Sequence, residues 1–115
     1  MELEVRWKRE GELREYSALI RTAATIGRSS SCAIRLTGWG IARELALLFV
    51  MDEQWFIRDL GGFIGVYVND QRIQDFGPLS ESDQIQIANH CLRIVQPASD
   101  SKEVTIKPIE SSEKP

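Results

Sequence analysis

The side chains best equipped for covalent chemistry are few. The single histidine, His90, stands beside Cys91, and a second cysteine, Cys32, lies far from both in the chain. A nucleophile and its base must share hydrogen-bond reach, yet neighbouring residues in an extended chain point to opposite faces, so His90 and Cys91 cannot form such a pair. His90 therefore reads as a surface loop residue between two strands. The glycine-rich stretches Gly38-Trp39-Gly40 and Gly61-Gly62-Phe63-Ile64-Gly65 lack dinucleotide or P-loop spacing, and neither opens a helix. Asp52-Glu53 and Glu81-Ser82-Asp83 read as acidic turns. No clustering of cysteine, histidine or carboxylate at ligand spacing suggests a metal site. These residues argue against an enzyme and against a cofactor or metal.

The elements that must position the loops are short strands. Leu3, Val5 and Trp7 alternate with Glu4, Arg6 and Lys8, the pattern of a half-buried strand. Further strands are expected at Tyr16–Leu19, Ala24–Ile26, Ala33–Leu36, Glu44–Met51, Trp55–Arg58, Val66–Val68, from Ile73, and at Gln84–Ala88 and Cys91–Val95. Asn69-Asp70 carries the signal of a tight hairpin, and Gly77-Pro78 ends a strand. Ile41–Val50 is the one helical candidate, and its apolar residues are too continuous to leave a polar face. About ten or eleven short strands predict an all-β antiparallel sandwich. Residues 1–98 read as one domain. From Ser99 the chain turns polar, so residues 99–115 read as a tail or linker with at most a brief extended segment at Val104-Thr105-Ile106.

Composition sets outer bounds. A chain of 115 residues with 43% hydrophobic and 27% charged residues suits a single domain with a modest core. The net charge of −3 provides no field that would recruit nucleic acid. The longest apolar run, Leu45–Met51, is too short to span a bilayer, and no secretory signal precedes the first strand. Cys32 and Cys91 are then expected to be reduced, buried residues of a cytoplasmic domain.

Taken in order, the loops resemble the forkhead-associated (FHA) family over roughly residues 3 to 96. Thr25-Ile26-Gly27-Arg28 is similar to the family's opening "IGR", and Ser29-Ser30-Ser31 followed by Cys32–Leu36 to its polar loop and short strand. Ile41-Ala42-Arg43-Glu44-Leu45-Ala46 stands in the place of "VSRxHA". Trp55–Leu60 resembles "W-x-I-x-D-L", Gly61–Asp70 stands where the family has "GSTNGTxVNG", and Leu79–Ile87 matches "L-x-x-GD-x-I-x-I". The resemblance implies two packed sheets with the ligand loops at one end, and a pocket for phosphothreonine peptides.

Carried over residue by residue, that pocket is depleted. The family's phosphate-binding arginine matches Arg28, whose guanidinium fork can bond two phosphate oxygens at once. Arg43 could add charge nearby, and Ser29 and Ser30 could add hydroxyls. The family serine falls on Ala42, the loop-buttressing histidine on Leu45, and the peptide-gripping asparagine on Ile64. A hydrogen bond to a charged group contributes roughly 1.5–3 kcal/mol, so losing the serine and asparagine removes roughly 3–6 kcal/mol, a hundredfold to ten-thousandfold in affinity. Gly65 keeps the family's glycine, which implies that the backbone turn survives. Trp39, Phe63 and Ile64 meanwhile bring large apolar groups to the ligand end. Either they form an apolar contact surface with Arg28 at its edge, or they fold over the vacated pocket and plug it.

The expected function is a protein–protein interaction module with an FHA fold, independent of phosphate. The partner is a protein or peptide, including one in the same polypeptide or assembly, with no nucleic acid and no membrane insertion. One alternative is a weak phosphothreonine reader built on Arg28, Arg43 and the serine loop. Another is a structural docking domain of a larger protein, such as the bacterial secretion and pilus-assembly proteins beside which the family occurs.

Overall fold

A computed structural model describes residues 2–95. Eleven strands make two sheets. In chain order they are β1 (Leu3–Arg9), β2 (Tyr16–Ile20), β3 (Ala23–Gly27), β4 (Ile34–Arg35), β5 (Ala46–Met51), β6 (Gln54–Asp59), β7 (Val66–Val68), β8 (Gln71–Ile73), β9 (Asp75–Phe76), β10 (Ile85–Ile87) and β11 (His90–Val95). One sheet runs β2-β1-β11-β10-β7-β8 and the other β4-β3-β5-β6-β9. Every recorded pairing is antiparallel except β3 with β4, which is parallel. Among the described residues there is no helix, and hence none long and apolar enough to cross a membrane. Ile41–Val50 divides into a loop and β5, as its continuous apolar run suggested.

Alternation builds the core. Leu3, Val5 and Trp7 of β1 point inward with Ile85, Ile87, Leu92 and Ile94 of the same sheet. They meet Ile26, Leu48, Trp55 and Ile57 from the other. Each fully buried side chain of this size contributes about 1.5–3 kcal/mol relative to exposure. Turn chemistry sets the register. Asn69 and Asp70 both take positive φ (52° and 69°), as do Asp52 and Glu53 (54° and 63°), the geometry of two-residue hairpins whose twist matches that of the strands.

Several sequence expectations require correction. His90 is no loop residue: it opens β11 opposite Arg9 and Ile87 and is buried. The β10–β11 hairpin turns one residue earlier than expected, with Ala88 at φ 53°, which brings His90 onto the inward face. Alternation then exposes Cys91, while Cys32 is buried; both thiols are free. Ile73 ends β8 rather than starting a strand, and the chain crosses to the other sheet as β9. The strand expected from Glu44 begins at Ala46, because Leu45 is still tied across to Ile26 in the preceding loop. The domain boundary at 98, the tail and the segment Val104-Thr105-Ile106 lie outside the described residues.

Pairing also sets which loops share an end. Arg9 faces His90, Ile26 faces Ala46, and Ala46 faces Asp59. The β1–β2, β3–β4, β4–β5, β6–β7 and β10–β11 loops therefore gather at one end. Arg9 Nη2 donates to the Thr37 carbonyl at 2.6 Å, joining the two sheets there.

Candidate functional site

At this end the β3–β4 and β4–β5 loops are stitched by their backbones. Arg28 N donates to the Ala42 carbonyl (2.9 Å), Ser29 N to that of Arg43 (3.1 Å), and Leu45 N to that of Ile26 (2.7 Å). Cys32 Sγ also donates to the Arg43 carbonyl at 3.3 Å. The approach is close enough to demand glycine at Gly27: a Cβ there would lie 2.8 Å from the Arg43 carbonyl carbon and 3.0 Å from the Ala42 oxygen.

On that scaffold the expected binding residues are unevenly equipped. Arg28 is exposed, its Nε donating to the Ile41 carbonyl at 3.2 Å, and its Nη groups have no partner among the described residues. Its own carbonyl accepts Nε of Arg35 at 2.9 Å. Arg43 is exposed and has no carboxylate partner among the described residues. Ser29 Oγ is occupied within its own turn, bonded to Ser31 Oγ (2.9 Å) and to Ser31 N (3.2 Å), whereas Ser30 is exposed. Ala42 is half-buried, and its Cβ would lie 3.7 Å from a Cβ at Gly62. Leu45 is fully buried in the core, so this loop is anchored by apolar packing.

The apolar residues of the loops divide between the two roles. Ile64 is half-buried, packs against the core, and its Cδ1 lies over Gly40, 2.8 Å from where a Cβ would stand. Gly40 also takes φ +82°, so it is doubly restricted to glycine. Trp39 and Phe63 remain 83% and 80% exposed, and their rings meet edge to face at a centroid distance of 5.9 Å and an interplanar angle of 90°. This is a favoured aromatic geometry, standing in solvent rather than in the core.

Two positioning residues were missed from sequence. Asp59 is buried at the end of β6 and accepts Gly61 N on Oδ1 at 2.7 Å, opening the glycine turn of the β6–β7 loop. The "D" of "W-x-I-x-D-L" was its signal. Arg72 on β8 lays its guanidinium across Gly65, where a Cβ would lie 2.7 Å from Arg72 Cζ. Gly65 has no positive φ, so this approach, rather than the turn, is what keeps its side-chain space empty.

Two hollows flank the loops. One, of about 430 Å³, starts at Phe63 and Ile64 and runs past Tyr67, Arg72 and Gln86. The other, of about 400 Å³, is lined by Trp7, Tyr16, Arg35 and His90, with Trp7 and Tyr16 stacked at 6.0 Å. Burial pushes the His90 imidazole below its ordinary pKa, and the neighbouring Arg9 charge adds to the effect. Among the described residues no group of three or more His, Cys, Asp or Glu could hold a metal ion.

The comparisons with known proteins agree with this geometry. No curated protein sequence matches the chain. Among solved structures it is similar to the FHA domain of the CT664 protein from Chlamydia trachomatis, at 19% identity, with a TM-score of 0.70 over 85% of this chain and 100% of that one. It is similar to the FhaA FHA domain, solved with the intracellular domain of a second protein, at 22% identity and a TM-score of 0.68, covering 81% and 99%. It also resembles part of Mycobacterium tuberculosis EmbR, solved with a low-affinity phosphopeptide, at 26% identity and a TM-score of 0.66, covering 79% of this chain and 24% of that protein. The profile of the FHA domain matches residues 24–88, from β3 through the β10–β11 turn, which takes in Gly27, Arg28 and the two glycine loops. On that match, and on eleven strands in two sheets with the binding loops at one end, the chain belongs to the FHA domain family.

Proposed function

We propose that this FHA domain recognises a protein partner through an apolar surface formed by Trp39 and Phe63, without requiring phosphate. FHA domains are phosphopeptide-binding protein-interaction modules, and this chain has their fold. The observation that carries the reading is the exposed aromatic pair at the ligand end, 83% and 80% accessible and in mutual contact. Large apolar side chains left in solvent on adjoining loops are a feature of contact sites. Ile64 supports the same reading by filling the space over Gly40 with hydrocarbon where the family asparagine would stand. Ala42 offers no hydroxyl, which leaves Arg28, with its unpartnered Nη groups, as the remaining anion-binding side chain of the family set.

The partner is a protein or peptide, and a site in the same polypeptide or assembly would serve. Residues 1–98 would be the recognition unit and 99–115 its connection to the rest of such a chain. The free thiols of Cys32 and Cys91 fit a cytoplasmic setting. The role is recognition rather than catalysis.

A second reading rests on Arg28 itself. An exposed guanidinium with free Nη groups, near Ser30 and Arg43, could still hold a phosphate weakly. Titration with matched phosphothreonine and threonine peptides separates the two. Affinity that ignores the phosphate and falls on Trp39→Ala or Phe63→Ala supports the apolar surface. Affinity that requires the phosphate and disappears on Arg28→Ala replaces it with the weak reader.

A further inference from the structure

The groove beside Phe63 gives the partner a chemistry. It follows the outer face of β7 between β8 and β10, from Phe63 and Ile64 at the ligand end to Asp70 on the β7–β8 turn. Its wall is the exposed row Tyr67, Arg72 and Gln86, which face one another across three strands. Arg72 is held at the Phe63 end, with its guanidinium against Gly65.

Ion pairing sorts the arginines by position. Arg6, Arg21, Arg58 and Arg93 pair with Glu4, Glu2, Asp75 and Glu15. Arg9, at the ligand end, approaches Glu12 at 3.8 Å. Arg14, which lies over the Tyr16 ring, and Arg28, Arg35, Arg43 and Arg72 have no carboxylate partner among the described residues, and the last four stand at or reach toward the ligand loops. Acidic turns occupy the opposite end, at Asp52-Glu53, Asp70 and Asp83. Glu10, Glu12 and Glu44 also stand exposed in loops at this end, so the positive charge that matters is local: Arg72 is the arginine that lines the groove beside Phe63.

Resting on the apolar-surface reading above, we infer that the groove takes an unphosphorylated acidic peptide: an apolar side chain packs on Trp39 and Phe63, and a carboxylate beside it in sequence pairs with Arg72. Phe63 and Gly65 are two residues apart, so anchor and acid must be neighbours or nearly so. The acid cannot lie further along the groove, where Asp70 would repel it.

Phage display of random unphosphorylated 12-residue peptides against the full chain tests this, with Arg72→Gln, Phe63→Ala and Arg21→Gln as parallel targets. The expected result is enrichment of peptides with Asp or Glu one or two positions from a large apolar residue. Arg72→Gln should weaken those peptides by about tenfold to a hundredfold, the loss of a charge-assisted contact, while Arg21→Gln, at the end away from the groove, leaves them within about threefold. Circular dichroism of each variant checks that the fold is kept. Enrichment that depends on Phe63 but not on Arg72 or on acidic residues overturns the acidic-peptide inference and leaves the apolar surface standing. No enrichment, or enrichment indifferent to Phe63, overturns both.

Discussion

At the residue scale, two glycines that look alike in sequence do different work. At Gly27 a side chain would strike backbone, the Arg43 and Ala42 carbonyls, neither of which can move without parting the β3–β4 and β4–β5 loops. Gly27→Ala is expected to destabilise the fold by about 1–3 kcal/mol or more, read as a lower urea midpoint. At Gly65 the same methyl meets the far end of a flexible arginine. Gly65→Ala should leave the urea midpoint nearly unchanged while displacing Arg72, so acidic-peptide affinity falls as it does in Arg72→Gln. His90 sets a pH dependence. Its folded pKa lies below its ordinary 6.5, through burial first and Arg9 second, so the unfolded chain binds the proton more readily. This contribution to stability is complete above about pH 6.5 and is lost as pH falls below it toward the folded value. The difference in stability between the native chain and His90→Leu should narrow over that interval, and a pH-independent difference would count against the assignment.

At the element scale, the β3–β4 and β4–β5 loops are held by main-chain bonds, whatever side chains they carry. The stitching at Arg28, Ser29 and Leu45 depends on main-chain atoms and on Gly27, so it does not depend on the side chains at Ala42 and Ile64. Restoring polar groups should then restore function in part. The double substitution Ala42→Ser with Ile64→Asn is expected to raise phosphothreonine-peptide affinity by up to about a hundredfold, measured by fluorescence anisotropy, and Arg28→Ala on that background should abolish the gain. An unresponsive double variant would mean that the loops themselves have moved.

How far the sequence could be read follows from the same elements. Strands with clean alternation, such as β1 and β11, and hairpins with turn residues, such as Asn69-Asp70, were legible because local chemistry decides them. His90 was misplaced because a shift of one residue in the β10–β11 turn exchanges every inward and outward position beyond it. Arg72 could not be found at all. The Asn69-Asp70 turn announces that the chain folds back beside β7, but the return strand was expected only from Ile73, and no residue near Arg72 indicates that its guanidinium will lie on Gly65. The division of labour between Ile64, packed inward, and the exposed Trp39–Phe63 pair is likewise a long-range contact between loops that neither loop's residues reveal alone.

At the scale of the whole molecule, the net charge of −3 conceals a local arrangement: Arg28, Arg35, Arg43 and Arg72 lie at the loop end without a carboxylate partner among the described residues, beside Glu10, Glu12 and Glu44, while further acidic turns lie at the far end. On the proposed reading, Arg72 attracts an acidic partner before contact, an effect screened within about 10 Å at 0.1 M salt. Association rates for an acidic peptide should therefore fall as salt rises from about 0.05 to 0.5 M, with dissociation, governed by the aromatic contact, changing less. The measurement that bears most directly on the central reading is isothermal titration of the chain with the best acidic, apolar peptide from the display, carried out in two matched forms. One carries threonine and the other phosphothreonine on the side of the apolar anchor away from its acidic residue. Phosphate independence gives the two forms affinities within about threefold, both reduced at least tenfold by Phe63→Ala. A phosphorylated form that binds more than tenfold tighter, with the advantage lost on Arg28→Ala, would contradict it.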